Sequence, residues 1–352
     1  MQFAGLAAAF LAVCALANLL VDPAARWGSP LGLEPATLRG DRRVVERLRT
    51  HRDPIDALII GSSHSFSLHA EDLSAATGLQ AFNAASAGAR VETMCAVLRY
   101  VAAQSGTWPR LLIVGADVGS FYGELDTDIA LTSDLGAHIP YALSTWDRVA
   151  LRGRAIRSLF EIVTVNASLR SMQKWRSRRD SAMKAVLLAE AGEAPGPATV
   201  PLDPKIVERR TRHRAAEYGE RYQAQSLDPR RVQWFSDLVR EAAANGSEVI
   251  LYLTPLTPRV DAGVRKTSNY AHLLSETWGL LRSLERGSPR VTAVDCSTID
   301  KFGGRAEWFV DGVHGTRDNG RAVIRHCLAQ AGWHGPAPHL HGRKLVRHQS
   351  RE

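Results

Sequence analysis

The sequence predicts an α/β protein with a five-stranded parallel sheet between two layers of helices, a three-layer α/β/α arrangement. Three observations predict it. Short apolar runs recur without polar alternation, the signature of strands buried on both faces. Segments of helical periodicity separate them and supply the crossovers that parallel strands require. Turn signals such as Gly61, Gly115 and Thr254-Pro255 close the runs.

In chain order, Ala57–Ile60 is the first strand, and a helix is expected over about 70–78. Leu79–Asn83 is the second strand and Val91–Ala103 the next helix. Leu111–Val114 forms the third strand. Trp234–Ala244 is an amphipathic helix before the fourth strand, Val249–Leu253. A helix over about 270–286, a fifth strand at Val291–Val294 and a closing helix at Arg317–Ala331 complete the domain. The domain is therefore expected over 51–335.

Residues 124–230 interrupt it between strands three and four. They are Arg-rich, helical in pattern over 146–191, and carry a Pro/Gly/Ala linker at 194–204. A structureless loop of that length is uncommon in a compact domain, so an inserted helical subdomain is expected. The Pro- and His-bearing stretch 336–352 reads as a disordered tail.

Phe3–Val21 is an uncharged apolar run of 19 residues, stopped by Asp22-Pro23. At about 1.5 Å per residue it just spans a hydrocarbon core of roughly 30 Å, so 1–21 is expected to be a transmembrane anchor or a signal sequence. Ala15-Leu16-Ala17 offers a small-x-small cleavage site for the second option. Residues 22–50 read as a stalk ending in a basic helix. The basic residues that follow the run, Arg26 and Arg39 among them, by themselves favour a cytoplasmic body.

The chain has 352 residues, 45% hydrophobic and 23% charged, which excludes wholesale disorder and a fibrous chain. One membrane-length run excludes a polytopic membrane protein. The cysteines, Cys14, Cys95, Cys296 and Cys327, form no C-x-x-C pair, so neither a zinc ribbon nor a redox motif is present, and no metal or other cofactor is expected.

In parallel α/β sheets functional groups collect at the carboxyl ends of the strands. Strand one ends in Gly61-Ser62-Ser63-His64-Ser65, and Asn83 to Ala89 follows strand two. Strand three ends in Gly115-Ala116-Asp117, and Asp311-Gly312-Val313-His314 lies beyond strand five. A serine at a tight strand-to-helix turn exposes its hydroxyl and its N–H together, and Gly61 lets the turn close. An aspartate three residues before a histidine can hold the imidazole in the tautomer that accepts the serine proton. Ser63, His314 and Asp311 are thus a candidate triad, with the N–H groups of Ser63 and Gly88 as oxyanion donors.

These blocks resemble the SGNH, or GDSL-like, hydrolase superfamily. Gly61-Ser62-Ser63 stands where that family has Gly-Asp-Ser, Gly88 matches its second-block glycine, and Asp311-x-x-His314 matches its last block. The resemblance covers 55–123 and 230–332 and implies a flavodoxin-like fold. It is greatest to membrane-anchored bacterial members, similar to polysaccharide O-acetylation proteins, which implies an inner-membrane anchor and a periplasmic body. The family's third-block asparagine, an oxyanion donor, falls on Asp117. An ionised carboxylate cannot donate, so Asp117 serves only if protonated or if turned away toward His64 or Arg90, with Ser65 or His64 as substitute donors. His64 and Trp308 are candidate substrate-shaping residues; core packing is the other reading for Trp308 with Phe309, and a turn role for His64.

The net charge is +8, yet residues 148–214 alone hold 15 Lys and Arg against 6 Asp and Glu. The basic excess therefore belongs to the insertion. It is a solvated face, a site for an acidic polymer, or a contact for anionic lipid. No nucleic-acid motif is present. The expected function is an acyl-ester hydrolase or O-acyltransferase acting on an acylated envelope polysaccharide, with a membrane-bound acyltransferase as a partner. The alternatives are a non-catalytic scaffold of the same fold in an export or modification complex, and a lipid-modifying esterase.

Overall fold

The computed structural model describes residues 40–51, 53–125, 129, 133–141 and 204–333, and the isolated positions 10, 12, 13 and 16. The expected anchor at 1–21 (those isolated positions apart), the stalk before residue 40, the helical pattern at 146–191, nearly all of the 194–204 linker and the 336–352 tail lie outside the described residues. Among the described residues, no helix is long and apolar enough to cross a membrane.

Five strands form one all-parallel sheet: β1 (Ala57–Ile60), β2 (Ala81–Asn83), β3 (Leu111–Ala116), β4 (Glu248–Leu253) and β5 (Val291–Val294). Their order is β2-β1-β3-β4-β5. The described helices are α1 (Gly40–Thr50), α2 (Ala70–Thr77), α3 (Val91–Ser105), α4 (Ser133–Gly136), α5 (Pro204–Arg221), α6 (Pro229–Ala244), α7 (Pro258–Thr267), α8 (Tyr270–Gly287), α9 (Ile299–Phe302) and α10 (Arg317–Gln330).

Side chains alternate between the faces of a strand. Leu58, Ile60, Leu112, Val114 and Leu251 enter one core with Val97 of α3, Leu238 of α6 and Leu273 of α8. Ala57, Ile59, Ile113, Ile250 and Tyr252 enter another with Leu73 of α2 and Ile324 of α10. Both faces are covered, which is why the strand runs show no polar alternation. The arrangement is consistent with the three layers expected.

A strand boundary differs from the sequence-based expectation. β2 starts at Ala81 rather than Leu79, because Gly78 caps α2 in the left-handed region (φ +71°) and Thr77 Oγ1 accepts the Leu79 N–H. Leu79 is buried in the core all the same. The helix expected at the end of 22–50 is α1, whose Val44 and Val45 are buried in the same core as β1. The described end of the expected insertion, α5, packs against the main domain. α5 lies along α7, and a Cβ at Gly263 would stand 3.1 Å from the Ala215 Cβ, while one at Gly219 would collide with Thr267. The missing side chains let the two helices close, and Tyr218, Tyr222 and Leu227 join the main core.

Candidate active site

The strand order reverses direction between β1 and β3, which opens a crevice outside their carboxyl ends. Gly61 ends β1 with φ +155°, and a Cβ there would strike Ser65 Oγ and stand 3.3 Å from Gly115 Cα. A Cβ at Gly115 would meet the same serine and, at 2.9 Å, Tyr252 Oη. The two glycines thus leave room for a buried Ser65 Oγ to Tyr252 Oη hydrogen bond of 2.8 Å. Asn83 ties the next loop to this turn. Its Nδ2 donates to the Ser65 and Leu68 carbonyls at 2.9 and 2.7 Å, and its Oδ1 accepts the Ala85 N–H at 2.8 Å. Ser63 opens the short 3-10 turn Ser63–Ser65 on this clamped segment.

The Asp311 loop is held by Thr257, whose N–H and hydroxyl both donate to the Gly312 carbonyl, at 3.0 and 3.1 Å. Ser63 Oγ and His314 Nε2 are 2.9 Å apart, and His314 Nδ1 and Asp311 Oδ2 2.8 Å. The other Asp311 oxygen accepts the N–H groups of Val313 and His314, at 3.1 and 2.8 Å. Arg214 Nε donates to Oδ2 at 2.9 Å. Burial alone would raise the Asp311 carboxyl, but the His314 and Arg214 bonds outweigh it and hold the group well below the ordinary carboxylate range. An ionised Asp311 accepts the Nδ1 proton, which leaves the Nε2 lone pair facing the Ser63 hydroxyl.

A cavity of about 270 Å³ opens over Ser63 and His314, lined also by Gly88, Asp117, Tyr218 and Arg221. Neither the Ser63 nor the Gly88 N–H donates to a protein group among the described residues. Gly88 is exposed, with φ +69°. Both expected backbone donors are therefore unspent beside the serine.

Asp117 is not a donor. Its oxygens accept the Gly119 N–H at 2.9 Å and the Ser62 hydroxyl at 3.1 Å, and Tyr222 Oη lies 3.4 Å away. Burial opposes ionisation, yet His64, the Gly119 N–H, Arg221 and Ser62 together hold this carboxyl below the ordinary range. The ionised group braces the turn before the serine. The Ser65 hydroxyl pairs with Tyr252 Oη at 2.8 Å, and His64 is buried with Nε2 3.0 Å from Tyr218 Oη. His64 is not among the residues that line the cavity, and its ring centre is 5.8 Å from that of His314. Nor is Trp308, whose ring has the Arg305 guanidinium 4.9 Å over it. Phe309 is buried in the core.

Several site residues come from α5, which the sequence reading treats as insertion. Arg214, Glu217, Tyr218 and Arg221 follow the i, i+3, i+4, i+7 spacing of one helix face, and all four line the cavity. That face was readable as a pattern, but its direction is decided by packing on α7. Burial pushes the Cys95 thiol up to about 12, so it is no nucleophile at neutral pH. Among the described residues, no three His, Cys, Asp or Glu side chains are grouped to hold a metal ion. No protein-family model matches the chain, and no curated protein matches it.

Proposed function

We propose that the protein is an SGNH-type serine acyl-ester enzyme with a flavodoxin-like domain, working as a hydrolase or an O-acyltransferase on an acylated envelope polysaccharide. The observation that carries this reading is the chain Ser63–His314–Asp311, with contacts of 2.9 and 2.8 Å, opening on a cavity beside two unspent N–H groups.

The chemistry follows from the geometry. His314 Nε2 takes the Ser63 proton as Oγ attacks the acyl carbonyl. The developing oxyanion is met by the Ser63 and Gly88 N–H groups. His314 returns the proton to the departing alcohol and leaves an acyl-Ser63. Water or a sugar hydroxyl, deprotonated by the same imidazole, then releases the acyl group. Both outcomes share one intermediate, and access of water to the cavity decides between them. The anchor belongs to this reading through the apolar run Phe3–Val21, and the periplasmic location and the membrane-bound acyltransferase partner through the resemblance.

One observation favours a second reading. Asp117 places an ionised carboxylate at the cavity wall, unfavourable to an oxyanion nearby and tolerable in a non-catalytic scaffold. Pre-steady-state hydrolysis of p-nitrophenyl acetate separates the two. The enzyme gives nitrophenol with an acyl-enzyme detectable on Ser63 by mass; the scaffold gives neither, although it is folded. Basic residues at 148–203 lie outside the described part. Arg214 spends its charge on Asp311 and Glu217, so an acidic polymer would meet Arg221 in the cavity instead.

A further inference from the structure

We infer that Tyr218, a residue of α5, is the third oxyanion donor, its phenolic proton completing a hole made with the Ser63 and Gly88 N–H groups. This rests on the acyl-ester reading above and adds a residue to it.

The argument begins with His64. Its ring is buried, Nε2 is 3.0 Å from Tyr218 Oη, and Nδ1 has no partner among the described residues. Two arrangements satisfy the His64–Tyr218 bond. If the phenol donates to Nε2, the ring proton sits on Nδ1, buried with no acceptor. If Nε2–H donates to the phenol oxygen, only a bare lone pair at Nδ1 goes unpaired. Buried orphan donors are the rarer defect in folded proteins. The Asp117 carboxylate decides the matter, because Oδ2 lies 3.8 Å from Nε2 and attracts the positive end of an N–H at that atom. Burial holds the imidazole neutral below its ordinary value, against the pull of Asp117, so there is one ring proton to place and Nε2 takes it.

With His64 as donor, the Tyr218 proton must point elsewhere. The hydroxyl has no other hydrogen-bond partner among the described residues, and Tyr218 lines the same cavity as Ser63, Gly88 and His314. Burial and Asp117 both drive the phenol upward, so it keeps its proton at every working pH. Among the other polar groups on that wall, Arg221 is a cationic donor with its guanidinium 5.8 Å from the Tyr218 ring centre. The Gly119 N–H and the Ser62 hydroxyl are committed to Asp117, and Arg214 to Asp311 and Glu217. His64 and Asp117 thereby set the direction of a neutral donor, and the carboxylate at this wall is compatible with catalysis.

The test is p-nitrophenyl acetate hydrolysis by wild type and Tyr218→Phe, with thermal unfolding of both. The expected result is a loss of about a hundred-fold or more in kcat with little change in KM, the size of one missing oxyanion donor. A kcat within a few-fold of wild type overturns the inference and leaves the acyl-ester reading standing. A folded wild type that neither turns over ester nor acylates Ser63 removes both. Should Tyr218→Phe not fold, ¹⁵N NMR of His64 in the wild type decides. A protonated Nε2 and a bare Nδ1 are expected; the opposite tautomer overturns the inference.

Discussion

Arg214 Nε donates to Asp311 Oδ2 at 2.9 Å, the same oxygen that His314 Nδ1 reaches at 2.8 Å. A helix from the interrupting segment therefore braces the acid of the candidate triad. Asp311 also accepts two backbone N–H groups, so Arg214 is one of four supports. Arg214→Gln is expected to lower kcat/KM about ten-fold, the equivalent of about 1.4 kcal/mol, with thermal unfolding little changed. A drop of a thousand-fold would show that Asp311 depends on the arginine far more than the geometry says.

Asp311→Asn removes the ionised acceptor and favours the wrong imidazole tautomer. The expected loss in kcat is about 10⁴-fold. The same variant has a signature in stability. The folded Asp311 carboxyl lies below its ordinary value, so it stabilises the fold above the ordinary aspartate range and loses that contribution as pH falls through the folded value. Wild type should lose stability on acidification below about pH 4. Asp311→Asn should be less stable at pH 7 and show a shallower acid slope, since Asp72 and Asp295, also held low, still contribute theirs. Urea unfolding at the two pH values measures this.

The fully buried Arg231–Glu92 pair joins α6 to α3 with contacts of 2.9 and 2.8 Å. Arg231 also donates to the carbonyls of Gly123 and Glu124, at 2.8 and 2.7 Å. Removing one partner leaves a buried charge unpaired. Glu92→Gln or Arg231→Met should cost about 3–5 kcal/mol in urea unfolding, and the double variant less than the two together.

Gly61 and Gly78 both have positive φ but different surroundings. A Cβ at Gly78 meets nothing within 4 Å, whereas one at Gly61 collides with Ser65. Gly78→Ala should cost only the left-handed conformation, about 1–2 kcal/mol, and leave ester hydrolysis intact. Gly61→Ala should cost more and abolish hydrolysis, because the collision displaces the turn that carries Ser63.

These contrasts show where the sequence was readable. Strand runs such as Leu111–Val114 are legible because burial on both faces demands continuous apolar residues. Ser63, Asp311 and His314 are legible because strand ends converge at one edge of a parallel sheet. Tyr218 and Arg214 are not, because which face of α5 turns toward the cavity depends on glycine-mediated packing against α7. α7 itself carried an unread signal, Thr257-Pro258, an N-cap followed by proline at the first helical position. Asp117 was identified as the residue that departs from an oxyanion donor, but the neighbours that keep it ionised belong to distant elements.

The central claim is that Ser63 is a nucleophile activated by His314. Intact-mass and peptide analysis after treatment with a fluorophosphonate tests it most directly. One adduct per chain is expected, mapped to Ser63 and absent from Ser63→Ala and His314→Ala proteins that fold as wild type does. A folded wild type that takes no adduct, or takes it at another residue, would contradict the account.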